Sequence, residues 1–356
     1  MTKKLRLAVA GIGNNISALF QGVEFYRHAY NEPQTTKLVG IRRSLVGEFG
    51  VCDVEFVAAF DVHPNKVGAT LDRAILAAPN NYPRLNVAMP KTEVIVDRGI
   101  KNDSLEGCRE SIDRVAERLR QSDSEVLLYS LPTGLQWAAD AYATAALKAR
   151  VAFVNCTPEI VARSEEMLQA FQLAGIPLIG DDLASHLGTS IVHRSLLGLL
   201  CERGISLQSS YQLNLGGNED FKNLREHGSG KRQSKLNALA QVGLDTSQVE
   251  VIPSAGFVAH LEDHKVAYLN IEGLGWAGTP LSLDLKLKVQ DSSNAAGVII
   301  DLIRIGAASR RNGVRGFPAA ATSVLKSPPL GHPYYSHETI EASFCELERS
   351  PALATG

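Results

Sequence analysis

Basic and acidic side chains recur in short stretches of the second half of this 356-residue chain. Four stretches are notable, 180–185, 212–221, 230–235 and 326–329, and isolated charges such as Asp291 add to them. The lysines of 230–235 are four residues apart, so on a helix they would share one face. Clustered charged groups in a dry pocket can stabilise negative charge that develops in a reaction. The alternative is a solvated helix edge, where such lysine pairs usually lie.

The first residues are typical of a dinucleotide-binding turn. An apolar strand is predicted over 5–10, and Gly11 and Gly13 follow it directly and open a helical pattern. Glycines there allow a tight turn and the close approach of a pyrophosphate, and the helix N-terminus offers N–H groups and a positive dipole end. Ile16 stands where the full fingerprint has a third glycine. The motif is therefore weak evidence by itself.

Polar residues at the ends of later strands strengthen this interpretation. A second buried strand ends at Asp61, whose carboxylate can accept hydrogen bonds from an adenosine ribose and would repel a 2′-phosphate, which favours NAD over NADP. Asp61 could instead cap the following turn, and turn or cap chemistry is the alternative for the other strand ends. The predicted cofactor site consists of Gly11, Gly13, Asn14, Asn15, Asp61, Ser130, Pro132, Thr133, Asn155 and Asp181.

Alternating strands and helices must position these residues. Strands are predicted over 5–10, 55–60, 125–131, 151–155 and 177–179. Helices of 10–15 residues separate most of them, including one predicted over 158–174, whereas 79–104 reads as loop. This alternation indicates an α/β fold with a doubly wound, Rossmann-type parallel sheet.

The pattern changes in the second half, where period-2 alternation predicts a mostly antiparallel sheet. Its strands are predicted over 206–213, 249–252, 266–273 and 281–289, before a helix returns over 294–311. We therefore predict an NAD-binding domain of residues 1–190 plus 295–356, and a second α+β domain of residues 191–294 for catalysis and oligomerisation. The polar tail beyond Pro333 is predicted to be disordered.

Composition excludes several classes of function. The formal net charge is −2, so the chain has no basic field for nucleic acid or an anionic membrane surface. No apolar run reaches the ~18 residues that span a bilayer. The five cysteines are odd in number and lie at no metal-ligand spacing, so neither a disulfide framework nor a metal site is predicted. The short first apolar run does not resemble a signal peptide, and the expected location is the cytoplasm.

Several runs resemble the inositol-1-phosphate synthase family, especially its bacterial and archaeal branch. They are Glu-Phe-Val-Ala-Ala-Phe-Asp at 55–61, Asn-x-Gly-Gly-Asn-x-Asp at 214–220 and Asn-x-Ala-Gly-Val-Ile-Ile-Asp at 294–301. The likeness follows the same order over nearly the whole chain, so it is far more specific than the glycine turn. It implies a homotetramer and the catalytic set Lys231, Lys235, Lys265, Lys326, Asp182, Asp291, Asn214 and Asp220.

The resemblance also implies a reaction without net redox change. NAD oxidises C5 of glucose 6-phosphate, the resulting ketone acidifies the C6 protons, the C6 enolate attacks the C1 aldehyde, and the hydride returns to C5. Lysines in a dry pocket suit the two developing oxyanions and the phosphate. A desolvated lysine near other lysines can also have a lowered pKa and transfer protons. The substitution Lys231→Ala is expected to abolish turnover while NAD still binds.

Three departures from the family's pattern fall on the substrate side. Ala184 stands where members commonly have lysine, Gln233 replaces a usual apolar residue, and Leu236 replaces a usual serine or threonine. The resemblance implies a hexose 6-phosphate as substrate, and the departures leave two open. One is glucose 6-phosphate, and the other is fructose 6-phosphate, which would give a five-membered cyclitol phosphate. A net NAD-dependent dehydrogenase and a redox-sensing dinucleotide-binding protein are the further alternatives.

Overall fold

A six-stranded parallel sheet forms the centre of the larger part of the molecule. The computed structural model describes residues 4–30, 38–240, 246–329 and 337–348. The strands of this sheet are β1 (Leu5–Ala10), β2 (Val54–Asp61), β3 (Val96–Arg98), β4 (Val126–Tyr129), β5 (Ala152–Asn155) and β6 (Leu178–Ile179). Their order is β3-β2-β1-β4-β5-β6, and every neighbouring pair is parallel. The predicted Rossmann-type sheet is confirmed, with its order reversing between β1 and β4.

Helices cover both faces of this sheet, which explains why its strands are mainly apolar. The helices of the larger part are α1 (Asn14–Tyr30), the single turn α2 (Leu71–Ala74), α3 (Leu105–Gln121), α4 (Gln136–Ala149), α5 (Glu165–Ala174) and α8 (Asp291–Arg311). Alternate residues of β1 enter different cores. Leu7 and Val9 pack with α1 and α8, whereas Ala8 and Ala10 pack with α3, α4 and α5.

Local capping residues set the ends of these helices. Ser104 and Ser164 precede α3 and α5, and each hydroxyl accepts a hydrogen bond from a backbone N–H of the first turn. Gly175 ends α5 at φ 72°, a conformation that glycine adopts without strain. The predicted helix over 158–174 therefore begins only at Glu165, because residues 158–163 wrap around a buried aspartate described below.

A four-stranded mixed sheet forms the second part. Its strands are β7 (Ser206–Gly216), β8 (Val249–Phe257), β9 (His264–Leu274) and β10 (Pro280–Gln290), in the order β10-β9-β7-β8. Only the β7–β8 pair is parallel, so the prediction of a mostly antiparallel sheet is confirmed. Helices α6 (Thr189–Glu202) and α7 (Glu219–Ala240) cover one face, where Leu197, Leu239 and Ile271 form a small core.

Two sequence predictions are wrong. The segment 79–104 contains β3 rather than loop alone, and the tail forms helix α9 (His337–Glu348) rather than being disordered. Ile340, Phe344 and Leu347 form a buried stripe on α9 at helical spacing. Each such burial contributes roughly 1.5–3 kcal/mol, which is enough to dock a short, otherwise polar helix.

Helix α8 returns the chain from the second sheet to the first. Ile299, Leu302 and Ile303 are fully buried against the parallel sheet. The buried guanidinium of Arg304 pairs with Asp301 at 2.6 Å, and it donates to backbone carbonyls of the segment before β2. The predicted division into domains at residues 190 and 294 stays a prediction. Among the described residues, no helix is long and apolar enough to cross a membrane.

Candidate functional site

An open groove of about 1190 Å³ runs along the carboxyl ends of β1, β2 and β4. This is the edge at which open α/β sheets bind ligands. Eight of the predicted cofactor residues line it: Gly11, Gly13, Asn14, Asn15, Asp61, Ser130, Pro132 and Thr133. The structure thus brings together residues from three strand ends that are far apart in sequence.

The glycine turn at the floor of the groove requires glycine for steric reasons. Gly11 has φ +85°, and a Cβ atom there would lie 2.6 Å from the carbonyl oxygen of Ser130. Apart from its two chain neighbours, no described residue has an atom within 4 Å of the position a Cβ would take at Gly13, so a ligand can approach the backbone closely there. Ile16, in the place of a third glycine, is fully buried in the core beneath α1.

Asp61 caps the turn that follows β2, which was the alternative considered for it. Its Oδ1 accepts hydrogen bonds from the N–H groups of Val62 and His63, both at 2.8 Å. Its Oδ2 accepts from the N–H of Ile12 at 2.8 Å. A carboxylate offers about four acceptor positions, so about one remains toward the groove. Capping and ligand binding are therefore compatible in this residue.

Asn14 joins the glycine turn to the second sheet. Its Oδ1 accepts from the N–H groups of Asn81 and Tyr82, and its Nδ2 donates to Asp263 at 2.9 Å. Asp263 is fully buried between β9 and the start of α8, where it also accepts from the N–H and hydroxyl of Ser292. Burial, with a smaller contribution from Asp291, raises the pKa of Asp263 to about 6.

A second, deeper chamber of about 700 Å³ adjoins the groove. Asn15, Cys156, Asp220 and Asp291 line both spaces, so they are continuous. Six of the predicted catalytic residues line the chamber: Lys235, Lys265, Lys326, Asp182, Asp220 and Asp291. They come from five separate segments, which only the fold brings together.

Two lysine–aspartate pairs organise the chamber. Nζ of Lys326 donates to Oδ2 of Asp182 at 3.0 Å, and both side chains are buried. Asp182 has φ +55°, an uncommon conformation for a residue other than glycine. Its carbonyl oxygen also accepts a hydrogen bond from the backbone N–H of Lys326. Nζ of Lys265 donates to Oδ1 of Asp291 at 3.3 Å, while Asn218 donates to the other oxygen.

Helix α6 begins in the chamber wall. Gly188 is its N-cap residue and supplies no side-chain cap, and Thr189, Ser190 and Ile191 of the first turn line the chamber. The positive end of a helix dipole and its first N–H groups favour an anion there. The ammonium group of Lys235, on a side chain that is 3% exposed, adds positive charge to the same space.

Residues 188–292 match the family model described as Myo-inositol-1-phosphate synthase. The chain is 39% identical over 345 residues to the inositol-3-phosphate synthase of Mycolicibacterium smegmatis, covering 92% of this chain and 93% of that protein. It is 38% identical over 366 residues to the inositol-3-phosphate synthase of Corynebacterium glutamicum, covering 97% and 99%. The chain belongs to the myo-inositol-1-phosphate synthase family. The crystal structure of Ari2 is also similar, with 65% sequence identity, a TM-score of 0.87 and coverage of 97% and 98%.

Three predicted site residues lie outside both spaces of this synthase-family fold. Asp181 is fully buried and accepts hydrogen bonds from Asn155 Nδ2 and from the N–H groups of residues 161–163. Burial raises the pKa of Asp181, and those hydrogen bonds oppose the rise. Asn214 is buried in β7, where its amide bonds Thr189 and the carbonyl of Ile252. These side chains support the walls because internal hydrogen bonds turn them away from the open space.

Lys231 lies on α7, but its side chain is outside the described part of the structure. Lys235, one turn later, is described and lines the chamber. The prediction that the two lysines share a face toward the site therefore stays a prediction for Lys231.

Two of the three departures from the family's pattern face away from the chamber. Gln233 is exposed and donates to Asn237, and Leu236 packs against the core beneath the second sheet. Ala184 is different, because its neighbours Leu183 and Ser185 both line the chamber. It is 5% exposed, and its N–H donates to the carbonyl of Val324. Of the three departures, this one has chamber-lining residues on both sides in the sequence.

Sequence reasoning missed several polar residues of the site. Lys66 and Asn80 line the groove from the segment after β2, and Ser185 and Thr189 line the chamber. A lysine within a polar loop gives no sign of burial, so no pattern distinguished Lys66. A glycine before a helical run was the available signal for the α6 N-terminus. Among the described residues, no group of three or more His, Cys, Asp and Glu side chains could hold a metal ion.

Proposed function

We propose that this chain is an NAD-dependent cyclitol phosphate synthase that converts glucose 6-phosphate to inositol 1-phosphate. One observation carries the proposal: a dinucleotide-type groove opens directly into a chamber lined with lysines and aspartates. Asn15, Cys156, Asp220 and Asp291 line both spaces. Such a reaction oxidises one sugar carbon and closes a ring at neighbouring carbons. It therefore needs a hydride acceptor and charged side chains within the length of one bound substrate.

The groove residues fit a nicotinamide dinucleotide. The open backbone at Gly13 and the N-terminus of α1 suit a pyrophosphate, and the remaining acceptor position of Asp61 suits a ribose hydroxyl. Thr133, whose hydroxyl donates to Asp220, would lie toward the nicotinamide half. The bound cofactor would supply a hydride acceptor at C5 of the sugar and then return the hydride.

The lysine–aspartate pairs supply the chain's own chemistry. Lys326 and Lys265 each lie within hydrogen-bond distance of a carboxylate that orients the ammonium group. Such preorganised cations stabilise the oxyanions at C5 and C1, because their positions are fixed before the negative charge develops. A neutral lysine can take the C5 hydroxyl proton as the hydride leaves and the C6 proton as the enolate forms. The resulting ammonium groups can return one proton to the C1 oxyanion after ring closure and one to the C5 oxygen on re-reduction.

The substrate's phosphate is assigned to the start of α6. Gly188, Thr189 and Ser190 form the helix N-terminus in the chamber wall, and Lys235 lines the same chamber. Anchoring the phosphate there extends the sugar carbons toward the two lysine–aspartate pairs and the groove. Lys235→Met is expected to raise the KM for the sugar phosphate while leaving the NAD affinity unchanged.

The position of Ala184 bears on the second candidate substrate, fructose 6-phosphate. It adjoins the chamber through Leu183 and Ser185, and the family's common lysine is absent there. Fructose 6-phosphate carries its ketone at C2, so attack by C6 on C2 would close a five-membered ring. That closure moves the developing oxyanion by one carbon, which changes where a cation is needed. The same cofactor groove and the same lysine–aspartate pairs would serve.

The second sheet offers a surface for the proposed homotetramer. Strand β10 is an edge strand of eleven residues in which Leu281, Leu283, Leu285 and Leu287 alternate with polar residues. Leu283 remains 37% exposed. Tyr268 of β9 and Tyr211 of β7 are exposed on the opposite face of the sheet, because Tyr268 lies opposite Lys286 rather than opposite a leucine of β10. A long edge strand with an apolar row favours pairing with another chain. Light scattering should give the mass of an oligomer, and Leu283→Arg should lower it; a monomer in both proteins would contradict this proposal.

Product identification tests the function. The purified protein with NAD is incubated separately with glucose 6-phosphate and fructose 6-phosphate, and NMR identifies the phosphorylated products. An inositol phosphate from glucose 6-phosphate is expected, and a five-membered cyclitol phosphate from fructose 6-phosphate would establish the second candidate. Lys265→Ala should form neither product, whereas the exposed Lys222→Met should match the unaltered protein. Stoichiometric reduced cofactor without a cyclic product would instead establish a net dehydrogenase.

A further inference from the structure

A buried lysine lies beneath the cofactor groove. Lys66 is 4% exposed and lines the groove. Its Nζ donates to the carbonyl oxygen of Ile12 at 2.7 Å and to Oδ1 of Asn80 at 2.9 Å, and it lies 3.9 Å from Oδ2 of Asp61. A buried ammonium group is unfavourable unless it is paired and hydrogen-bonded. These three contacts meet that requirement. The first is with the glycine turn itself, and the other two are with side chains that hydrogen-bond the turn.

Both polar groups of the Ile12 main chain are held by side chains. The N–H of Ile12 donates to Asp61, and its carbonyl accepts from Lys66 and from Nδ2 of Asn80 at 3.0 Å. Asn80 is itself anchored, because the same amide nitrogen donates to the carbonyl of Ile75. The end of β2 and the segment that follows it therefore hold both main-chain groups of Ile12.

Ile12 lies between two glycines, whose backbones have more conformational freedom than those of other residues. The turn is therefore not fixed by its own sequence, and the side chains around it must fix it. A carbonyl oxygen turned toward a pyrophosphate would repel the ligand. Lys66 and Asn80 keep the Ile12 carbonyl engaged below the groove.

We propose that Lys66 is a positioning residue for the cofactor, which fixes the glycine turn in the conformation that receives the pyrophosphate. This inference rests on the proposed use of NAD and deepens it. Lys66 acts through the Ile12 carbonyl, so its loss weakens cofactor binding without removing a group from the reacting atoms. Asn80 acts with it through the same carbonyl, and its loss should have the same effect to a smaller degree.

The test compares Lys66→Met and Asn80→Ala with the unaltered protein and with Lys222→Met, whose lysine is exposed. Calorimetry gives the Kd of NAD⁺, ADP-ribose and adenosine, and turnover is measured at saturating NAD⁺. Lys66→Met should raise the Kd of NAD⁺ and ADP-ribose at least about tenfold, as loss of a hydrogen bond to a charged group does. The Kd of adenosine, which lacks phosphates, and kcat should change by less than about twofold.

Asn80→Ala keeps the buried charge but removes the bonds of Asn80 to Lys66, Ile12 and Ile75. It should raise the same two Kd values about three- to tenfold, because only the neutral bond to the Ile12 carbonyl acts on the glycine turn directly. Equal NAD⁺ affinity in Lys66→Met and the unaltered protein would overturn this inference alone. Equal weakening of adenosine and ADP-ribose would also overturn it, because the defect would not then concern the pyrophosphate. Failure of the unaltered protein to bind NAD⁺ would overturn the proposed function together with this inference.

Discussion

The buried pair of Lys326 and Asp182 allows stability and catalysis to be measured separately. Its atoms are 3.0 Å apart, and the side chains are 8% and 0% exposed. At an effective dielectric constant of about 20, charges at this distance attract by about 5.5 kcal/mol, which desolvation of both groups largely offsets. Removing one partner leaves the other charge buried, which costs about 3–5 kcal/mol. Lys326→Met should therefore lower the free energy of unfolding by about that amount.

A double variant tests whether the loss arises from the buried charge of Asp182 once Lys326 is removed. Asp182→Asn removes that charge, and asparagine tolerates the φ of +55° at this position. The free energy of unfolding of the double variant Lys326→Met with Asp182→Asn should lie within about 2 kcal/mol of that of the unaltered protein. Such a recovery would show that the effects of the two substitutions are strongly coupled. Neither variant should turn over substrate, because the cation that stabilises the oxyanion is absent from both.

The assay is urea unfolding at neutral pH, with turnover measured on the same preparations. Lys222→Met should stay within about 0.5 kcal/mol of the unaltered protein, as exposed substitutions usually do. An unfolding free energy of Lys326→Met equal to that of the unaltered protein would refute the buried pair. Full turnover in the double variant would refute the catalytic role of Lys326.

Three further predictions concern the chamber and its support. Lys265→Ala should reduce kcat at least about hundredfold, as loss of one oxyanion donor does, with NAD Kd unchanged by calorimetry; a parallel loss of NAD binding would contradict a role at the substrate. Burial raises the pKa of Asp263 to about 6, so its contribution to stability is complete below about pH 4 and is lost as pH rises through about 6. The urea midpoint of Asp263→Asn should thus fall more steeply on acidification from pH 7 to 4, and an unchanged slope would count against that pKa. Burial lowers the pKa of His193 to about 4, so the contribution of His193 to stability is complete above about pH 6.5 and is lost as pH falls through about 4. The urea midpoint of His193→Gln should therefore fall less steeply on acidification than that of the unaltered protein. A steeper fall would contradict this prediction.

Much of the larger sheet follows from the sequence because its strands are buried on both faces. Leu5–Ala10, with Arg6 as its single charged residue, and Val126–Tyr129 are short apolar runs that end at turn residues, and such runs give a strong signal. Strand β3 has only three residues, and its short apolar content does not distinguish it from loop. Helix α9 was missed because its three large apolar residues, Ile340, Phe344 and Leu347, are a weak pattern without knowledge of the surface that they contact.

The site was predictable where chemistry depends on strand ends, and less so where it depends on side-chain direction. Gly11, Asp61 and Thr133 line the groove because the carboxyl ends of parallel strands meet at one edge. Asp181 and Asp182 are adjacent in sequence, yet one bonds the loop at 161–163 and the other faces Lys326. Local pattern does not decide which of two neighbouring carboxylates faces the open space, because the loops that bond each one come from elsewhere in the chain.

The return of the hydride to the same carbon is the central claim, and an isotope tests it most directly. The protein with NAD is given hexose 6-phosphate that carries deuterium at C5, and the cyclic product is examined by NMR and mass spectrometry. The deuterium should be retained at that carbon in the product, without accumulation of reduced cofactor. A cyclic product that has lost the deuterium, or reduced cofactor that carries it after the reaction ends, would contradict the claim.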